Sequence, residues 1–258
     1  MKRALALLFF VGPFAWMALT SFWPEAELTR SFPTTLSLAG YEGLGGSFAR
    51  AVANSLLVAA GTTPIALAFG AAAGFAIAKL PLPGGSVLLA FALGISMFPP
   101  IATVSPLYLV LRAFGLRDTL FGLVLPHTTF ALPLSIWLMT SFFRALPDEL
   151  YRAARVDGCT PWQAFVRVFL PLSRPALATS AILVFIFSWN ELLYALVLLS
   201  TPARRTIPVA IVLFAGEHAE PWAQIAAASV IATVPLAVLT LFFQRRIVAG
   251  LTAGAVKE

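Results

Sequence analysis

The stretch that decides the fold class is AVANSLLVAAGTTPIALAFGAAAGFAIA, residues Ala51–Ala78, in which no residue carries a charge. It is longer than the roughly 20 helical residues needed to cross the hydrocarbon core of a bilayer. Five other apolar stretches have a comparable length and are predicted to span the membrane as well: about Ala4–Phe22, Gly85–Leu111, Thr119–Phe142, Pro175–Ser200 and Trp222–Phe243. The sequence therefore predicts an all-α polytopic membrane protein with six transmembrane helices, organised as a single domain over residues 1–258.

The composition excludes a water-soluble enzyme. Hydrophobic residues make up 60% of the 258 residues and charged residues 11%, whereas soluble domains have about 45–50% and about 25%. The apolar residues come in long runs, which argues against an outer-membrane barrel with its short alternating segments. The basic start Met1-Lys2-Arg3 is also typical of a signal peptide. We predict a retained first helix instead, because its apolar run is long and no clear cleavage site follows.

The basic residues predict the orientation. With the N-terminus in the cytoplasm, eleven of the 17 Lys and Arg residues fall in cytoplasmic segments and six in outer segments. This bias predicts that both termini are cytoplasmic. It also accounts for the net charge of +6, so that no nucleic-acid partner is expected. A single cysteine, Cys159, and two histidines provide neither an internal disulfide nor an expected metal site.

Prolines interrupt several of the predicted spans. In a bilayer, a proline leaves a backbone carbonyl without its helical donor, which is tolerated where neighbouring helices or a water-lined cavity satisfy it. These prolines are therefore either packing kinks or signs of a broken helix that borders a translocation path. The segment Met97-Phe98-Pro99-Pro100 favours the broken helix most. The run Gly70–Gly74 is interpreted as a packing surface that lets helices approach closely.

The segment Phe142–Pro175, called the charged loop below, is the one long charge-rich interruption between apolar stretches. Pro147-Asp148-Glu149 predicts a helix start, because proline suits the first turn and carboxylates favour the positive end of the helix dipole. Leu150, Ala153 and Ala154 are spaced to form one apolar face. Gly158 is predicted to end this helix in a left-handed conformation. Thr160–Gln163 predicts a capping box that starts a second helix, which Pro171 is expected to break.

Two short helices joined at a glycine bend would form a rigid protrusion on the cytoplasmic side. One interpretation is an amphipathic loop that lies on anionic lipid headgroups. The other is a docking surface for a soluble partner.

The charged loop resembles the EAA loop of ABC importer permeases, in which Glu-Ala-Ala-x-x-x-Gly is followed by an apolar-x-apolar-Pro end. Ala153-Ala154, Asp157-Gly158 and Leu170-Pro171 match this pattern. Arg152 stands where the family has its glutamate. Asp148 or Glu149 could neutralise Arg152 within the helix, and Glu149 could replace the missing carboxylate. The resemblance implies an ATPase-coupling role for Glu149, Leu150, Arg152, Ala153, Ala154, Asp157 and Gly158.

The resemblance extends over nearly the whole chain. Trp189-Asn190-Glu191 looks like the Trp-Asn-Glu segment of carbohydrate-importer permeases, and the tail from Phe243 to Lys257 is similar to that of the shorter, six-span permease of the maltose/trehalose type. The resemblance implies a prokaryotic inner-membrane subunit that forms half of a sugar pore. The implied partners are a second permease, two ATP-binding subunits and an extracytoplasmic sugar-binding protein. ATP and Mg²⁺ would bind on the ATP-binding subunits, because this chain lacks a Gly-x-x-x-x-Gly-Lys-Ser/Thr phosphate-binding loop.

The candidate pore and substrate residues are Trp189, Asn190, Glu191, Tyr194, Pro99 and Pro100. Glu191 is the one acidic residue deep in a predicted span, and such a charge is costly unless it is paired or hydrated. It could bond to the partner subunit, contribute to a polar cavity with Asn190, or carry a proton. His127 is predicted to be a hydrogen-bonded packing histidine. A competing function is a proton-coupled secondary sugar transporter that uses Glu191, whereas an intramembrane enzyme lacks a suitable catalytic arrangement.

Overall fold

The computed structural model describes residues 2–28, 35–214 and 221–252 of the chain. Within these ranges there are helices and no strands, which confirms the all-α prediction. The α-helices in chain order are α1 Lys2–Thr20, α2 Ala39–Glu42, α3 Gly45–Lys79, α4 Gly85–Ser96, α5 Pro100–Ala113, α6 Leu120–Ala145, α7 Asp148–Val156, α8 Pro161–Ala164, α9 Leu170–Leu172, α10 Arg174–Asn190, α11 Leu193–Leu198, α12 Ile207–Val212 and α13 Trp222–Thr252.

Three helices are long and apolar enough to cross a membrane as single pieces: Gly45–Lys79, Leu120–Ala145 and the Trp222–Gln244 part of α13. Two further bent helix pairs pass the same criterion when each pair is taken together. The apolar part of α1 that qualifies as a shorter helix is Phe9–Thr20. The count of six spans therefore stays a prediction. The end of the predicted tail, residues 253–257, lies outside the described residues.

The third predicted span is a broken helix. The axes of α4 and α5 meet at 92°, and the break falls at Met97-Phe98-Pro99, where the sequence favoured it. Pro99 has an extended ψ of 120°, and Pro100 occupies the first turn of α5, a position at which a missing N–H costs no helical bond. The broken-helix prediction is thus confirmed in preference to a simple kink. Its position beside a translocation path stays a prediction.

The fifth predicted span, Pro175–Ser200, is not continuous, and this part of the prediction is wrong. Helix α10 ends at Asn190, and Glu191 takes an extended conformation with φ −71° and ψ 124°. Helix α11 then begins at Leu193. The break has a physical reason, because a carboxylate in an apolar layer needs hydrogen-bond donors and the first turn of a new helix supplies free N–H groups.

Helices α3 and α6 approach each other closely at the glycine-rich run. A Cβ atom on Gly74 would lie 2.8 Å from the Cβ of Met139, and one on Gly70 would overlap with Ser135. These contacts confirm that Gly70–Gly74 is a packing surface. Helix α10 lies against α3, α6 and α13, so the break at Glu191 is surrounded by other helices.

Candidate docking loop and translocation site

Local signals determine the first half of the charged loop, as the sequence predicted. Helix α7 follows Pro147 and has Asp148 and Glu149 in its first turn. Gly158 has a φ of +83°, the left-handed conformation in which a glycine ends a helix at little cost. The capping box is present, because Gln163 N–H donates to Thr160 Oγ1 at 3.2 Å and Thr160 N–H donates to Gln163 Oε1 at 2.9 Å.

The second half of the charged loop continues past Pro171, where the sequence predicted a break. The helical path runs through a π-helical turn at Phe165–Phe169 and through α9 to Leu172. A proline lacks the N–H of the usual helical bond, and the wider turn just before it changes the bonding register there. The chain bends by 79° at Ser173, whose N–H donates to Phe169 O at 3.0 Å.

The charged loop packs on an aromatic cluster formed by Phe75, Phe143, Tyr151, Phe165 and Phe169, whose ring centroids lie 5.1–6.5 Å apart. Leu150 is half-buried against this cluster, and Ala154 is buried. Ala153, which was predicted on the same face, is instead exposed. Val156 and Trp162 are also exposed, by 87% and 65%. The loop therefore has one face in the core and a second apolar face that is open.

Lys79 fastens the charged loop to the end of α3. Its ammonium group is buried and donates to Leu146 O at 2.6 Å and to Asp148 Oδ1 at 2.5 Å. The hydrogen bond and the charge of Lys79 lower the pKa of the Asp148 carboxyl below its usual value. In the sequence, Lys79 is one of the eleven basic residues that fall in predicted cytoplasmic segments, and no local pattern assigns it a partner. The sequence feature that could have indicated this role is the position of Lys79 at the end of one predicted span, six residues before the next predicted span begins.

Three exposed charged residues of the loop, Glu149, Arg152 and Asp157, form no ion pair within the described part of the chain. Asp148 pairs with Lys79, and no carboxylate in the described part of the chain forms an ion pair with Arg152. Glu149, Arg152 and Asp157 are all exposed. The predicted neutralisation of Arg152 within the helix is limited to the attraction between its charge and the Asp148 carboxylate, whose pKa it helps to lower. Glu149, Arg152 and Asp157 remain exposed for contact with another molecule.

The second site lies at the break between α10 and α11 and is built around Glu191. Its carboxylate accepts the N–H groups of Tyr194 at 2.9 Å and Ala195 at 3.2 Å, so that it caps the first turn of α11. Its Oε2 lies 3.0 Å from Nε2 of His127 on α6. Glu191 therefore has partners within its own chain, and its contact with His127 is not among the three predicted environments.

His127 extends this contact into a chain of polar side chains. Its Nδ1 lies 2.8 Å from Ser188 Oγ, which in turn donates to Thr62 Oγ1 of α3 at 3.5 Å. His127 is 1% exposed, which confirms the predicted hydrogen-bonded packing histidine. We call Thr62, His127, Ser188 and Glu191 the polar junction. It ties α3, α6 and α10 together at the level of the break.

Tyr194 brings the two helix breaks together. Its hydroxyl lies 2.7 Å from Thr103 Oγ1 and donates to Pro100 O at 3.4 Å, so α11 is held against the start of α5. Pro99 and Pro100 are exposed beside it. Trp189 lies elsewhere: its ring is buried, and its indole N–H donates to Ala232 O at 3.1 Å. Trp189 thus packs α10 on α13 and does not face the break.

A cavity of about 390 Å³, called the break cavity below, lies between the two breaks. Phe130, Phe187 and Tyr194 supply aromatic walls, while Ser96 and Pro100 come from the other break. Asn190 and Glu191 line it as well, and Asn190 is exposed. Among the described residues, no three His, Cys, Asp or Glu side chains come together as metal ligands would. The arrangement can hold a neutral ligand that has both apolar and hydrogen-bonding surfaces.

A third cluster anchors the far end of α11, and we call it the Asp118 clasp. Asp118 has a φ of 57° and accepts the N–H groups of Ser200 at 2.8 Å and Thr201 at 3.0 Å, as well as an N–H of Arg204 at 3.0 Å. Partial desolvation works to raise its pKa. The hydrogen bonds from Thr201 and Ser200 and the charge of Arg204 outweigh it and lower the pKa to about 2.

The chain matches the family model "Binding-protein-dependent transport system inner membrane component" over residues 66–252. It is 47% identical to the trehalose transport system permease protein SugB of Mycobacterium tuberculosis, with 95% of this chain and 92% of the relative aligned. It is 37% identical to the trehalose/maltose transport system permease protein MalG of Thermococcus litoralis, over 95% and 91%. Among solved structures, a chain of a bacterial ABC transporter involved in alginate import aligns with a TM-score of 0.77 and 23% identity, covering 95% of this chain and 93% of the other.

The structural match supports the fold, and the family match includes both sites described above. The matched region contains the charged loop, both helix breaks and, of the polar junction, His127, Ser188 and Glu191. It begins within α3 and continues to the end of α13. The chain is a membrane-helical permease that belongs to the family of binding-protein-dependent transport system inner membrane components.

Proposed function

We propose that this chain is the shorter permease subunit of an ATP-driven sugar importer, acting as a single domain over residues 1–258. The observation that carries this proposal is the 47% identity to a trehalose permease over 95% of the chain. The transported solute is an α-linked disaccharide of the trehalose or maltose type. The chain lies in a prokaryotic inner membrane with both termini in the cytoplasm.

The partners are a second, homologous permease that completes the pore, two ATP-binding subunits and an extracytoplasmic sugar-binding protein. ATP and Mg²⁺ bind on the ATP-binding subunits, and this chain contributes no catalytic residue. The open face of the charged loop, with Ala153, Val156 and Trp162, supports docking of an ATP-binding subunit. An amphipathic loop that lies on lipid headgroups would use the same face. A crosslinking experiment is therefore needed to distinguish docking of an ATP-binding subunit from contact with lipid.

The charged loop transmits movement because it is fixed to the membrane helices at two places. Lys79 ties the start of α7 to α3, and the aromatic cluster ties the loop to α3 and α6. A push on the loop by closing ATP-binding subunits would therefore move α3 and α6 with it, since packed cores shift as units. Glu149 and Arg152 supply the exposed charges of the contact. Because Arg152 is positively charged, its partner should present an acidic group.

The test is to purify the chain with its neighbouring subunits and to measure ATP hydrolysis in proteoliposomes over a panel of sugars. We expect stimulation by a disaccharide together with the binding protein, and uptake that an uncoupler leaves unchanged. Uptake that persists without the ATP-binding subunits and collapses with an uncoupler would instead establish the secondary transporter.

Cysteine crosslinking tests the docking face directly. In a Cys159→Ser background, Ala153→Cys is exposed and Ala154→Cys is buried in the loop's own core. We expect the first to crosslink to an ATP-binding subunit and the second to remain unreacted. If neither Ala153→Cys nor Val156→Cys crosslinks in an assembled complex, the headgroup interpretation replaces the docking face.

A further inference from the structure

We propose that the break cavity is a carbohydrate contact site on this chain, in which the side-chain amide of Asn190 is the hydrogen-bonding group. The inference rests on the proposed function, namely that the solute is a sugar, and adds that this subunit touches it directly. It follows from the shape of the cavity, from its aromatic walls and from the hydrogen bonds that each polar lining group already makes.

The cavity has the surface that a sugar ring requires. A sugar ring presents C–H faces and a rim of hydroxyl groups, so it needs apolar walls with a few fixed polar atoms. Phe130 stacks on Tyr194 with ring centroids 5.1 Å apart and planes at 23°, and both rings line the break cavity with Phe187. The volume of about 390 Å³ lies within the usual range of small-molecule sites.

Asn190 keeps hydrogen-bonding capacity that faces the open side. One N–H of its amide donates to Ile186 O at 2.8 Å. An asparagine amide has a second N–H and a carbonyl oxygen with two lone pairs, and no described residue bonds to these. The group can therefore donate to one sugar hydroxyl and accept from another. Because it is neutral, it does so without the cost of a charge in the membrane.

The other polar groups of the cavity are already engaged. Glu191 accepts two backbone N–H groups and contacts His127, so its carboxylate serves the break and not a ligand. The hydroxyl of Tyr194 bonds to Thr103 and Pro100, and that of Ser96 donates to Leu93 O at 2.6 Å. The hydroxyl oxygen of Ser96 can still accept a hydrogen bond, but Asn190 is the lining side chain that keeps an N–H donor as well as an acceptor. We therefore assign Asn190 as the polar ligand, while Glu191 and His127 are positioning residues that fix the end of α10.

A second cavity serves as a comparison, because it is larger but differs in its polar lining groups. It has a volume of about 520 Å³ and lies among α3, α10 and α13, where its lining is hydrocarbon except for Thr63. The hydroxyl of Thr63 donates to Ala59 O at 2.7 Å and is therefore engaged as well. Among its lining side chains, this larger cavity has no free hydrogen-bond donor for a sugar hydroxyl, so volume alone does not indicate a sugar site. Thr63 provides a matched control within the membrane.

The first experiment measures labelled trehalose accumulated per ATP hydrolysed by the complete transporter in proteoliposomes. We expect Asn190→Ala to lower this ratio by about five- to tenfold, as loss of one or two neutral hydrogen bonds predicts, and Thr63→Ala to leave it unchanged. An unchanged ratio for Asn190→Ala, with a wild-type complex that responds to trehalose, overturns the contact site alone. A wild-type complex that responds to no sugar overturns the proposed function instead.

The second experiment tests access without relying on transport. In a Cys159→Ser background, we expect trehalose to slow the reaction of Ser96→Cys, an exposed position in the lining of the break cavity, with a water-soluble thiol reagent at least about threefold, since a bound ligand excludes the reagent. This variant keeps Asn190. Ser200→Cys, at the exposed end of α11, should react at the same rate with and without sugar. Equal slowing at both positions, or at neither, contradicts a sugar bound in the break cavity.

Discussion

The charged loop and the break at Glu191 use the same chemistry for different purposes. In both places an acidic residue lies at the start of a short helix, Glu149 in α7 and Glu191 before α11. Glu149 is exposed and has no partner among the described residues, whereas Glu191 is held by His127 and two backbone N–H groups. A carboxylate at a helix start therefore serves an outside contact in the loop and internal cohesion at the break.

We therefore expect mutations in the charged loop to affect function and mutations at the break to affect stability. Removing an exposed group of the loop should change what the protein does to its partners and leave its folding unchanged. Removing a group of the polar junction should leave buried donors without acceptors and change folding first.

The largest effect is expected for Gly158→Asp in the charged loop. A left-handed backbone costs a non-glycine residue about 1–2 kcal/mol, and the new carboxylate enters the proposed docking face. We expect sugar uptake to fall more than about tenfold, because the new side chain blocks a contact worth more than about 1.4 kcal/mol. Assembly in the membrane should be unchanged, because the space around Gly158 is open within this chain.

Gly84→Asp is the matched control for that substitution. Gly84 has a φ of +78° and open space around it, as Gly158 does, but it lies in the turn between α3 and α4. We expect uptake near the wild-type level. A comparable loss of uptake in both variants would assign the effect to backbone strain and not to docking.

The largest effect on stability is expected for Glu191→Ala at the break. The substitution leaves the N–H groups of Tyr194 and Ala195 and the ring of His127 without their acceptor, at a cost of about 3 kcal/mol for a broken buried pair. Glu149→Ala, which removes the corresponding carboxylate of the loop, should change stability by less than about 0.5 kcal/mol. Thermal unfolding of the purified complex in detergent measures both, and equal shifts would abolish the distinction between the two sites.

How far the sequence could predict each site follows from the range of its interactions. The loop's Thr160 and Gln163 are three residues apart, and Gly158 ends its own helix, so neighbouring residues indicated the structure. The side-chain partner of Glu191 comes from α6, with His127 lying 64 positions away, and no local pattern indicates such a pairing. The same reason explains why the fifth span was predicted as continuous.

Lys79 is an exception to this contrast between local and long-range interactions, because it forms a long-range contact within the charged loop. Lys79→Met keeps the length of the side chain but leaves Leu146 O without its donor, at a cost of about 1–2 kcal/mol. We expect a smaller gain in ATP hydrolysis upon addition of sugar and binding protein. Asp148→Asn should have the weaker effect on this gain, since Asp148 is 67% exposed and water can replace its bond. A stronger effect of Asp148→Asn would show that the charge, and not the attachment of the loop, matters.

The smallest effect is expected at the Asp118 clasp, which holds the end of α11 remote from the break. Because the pKa of Asp118 is lowered from 3.8 to about 2 in the folded protein, its ionised form stabilises the fold above about pH 3.8 and loses this contribution as the pH falls towards 2. After allowance for solvent screening, the contribution is about 1 kcal/mol. Asp118→Asn keeps a residue that tolerates the positive φ, removes the charge and replaces one of the two acceptor oxygens by an amide NH2 group. We expect the unfolding temperatures of wild type and variant to differ by a constant amount above about pH 5, which is roughly one pH unit above the ordinary pKa of an aspartate, and to converge as the pH falls below that value. A difference that persists unchanged to pH 2.5, near the lowered pKa, would mean that the hydrogen-bond geometry of the clasp, and not its charge, anchors α11.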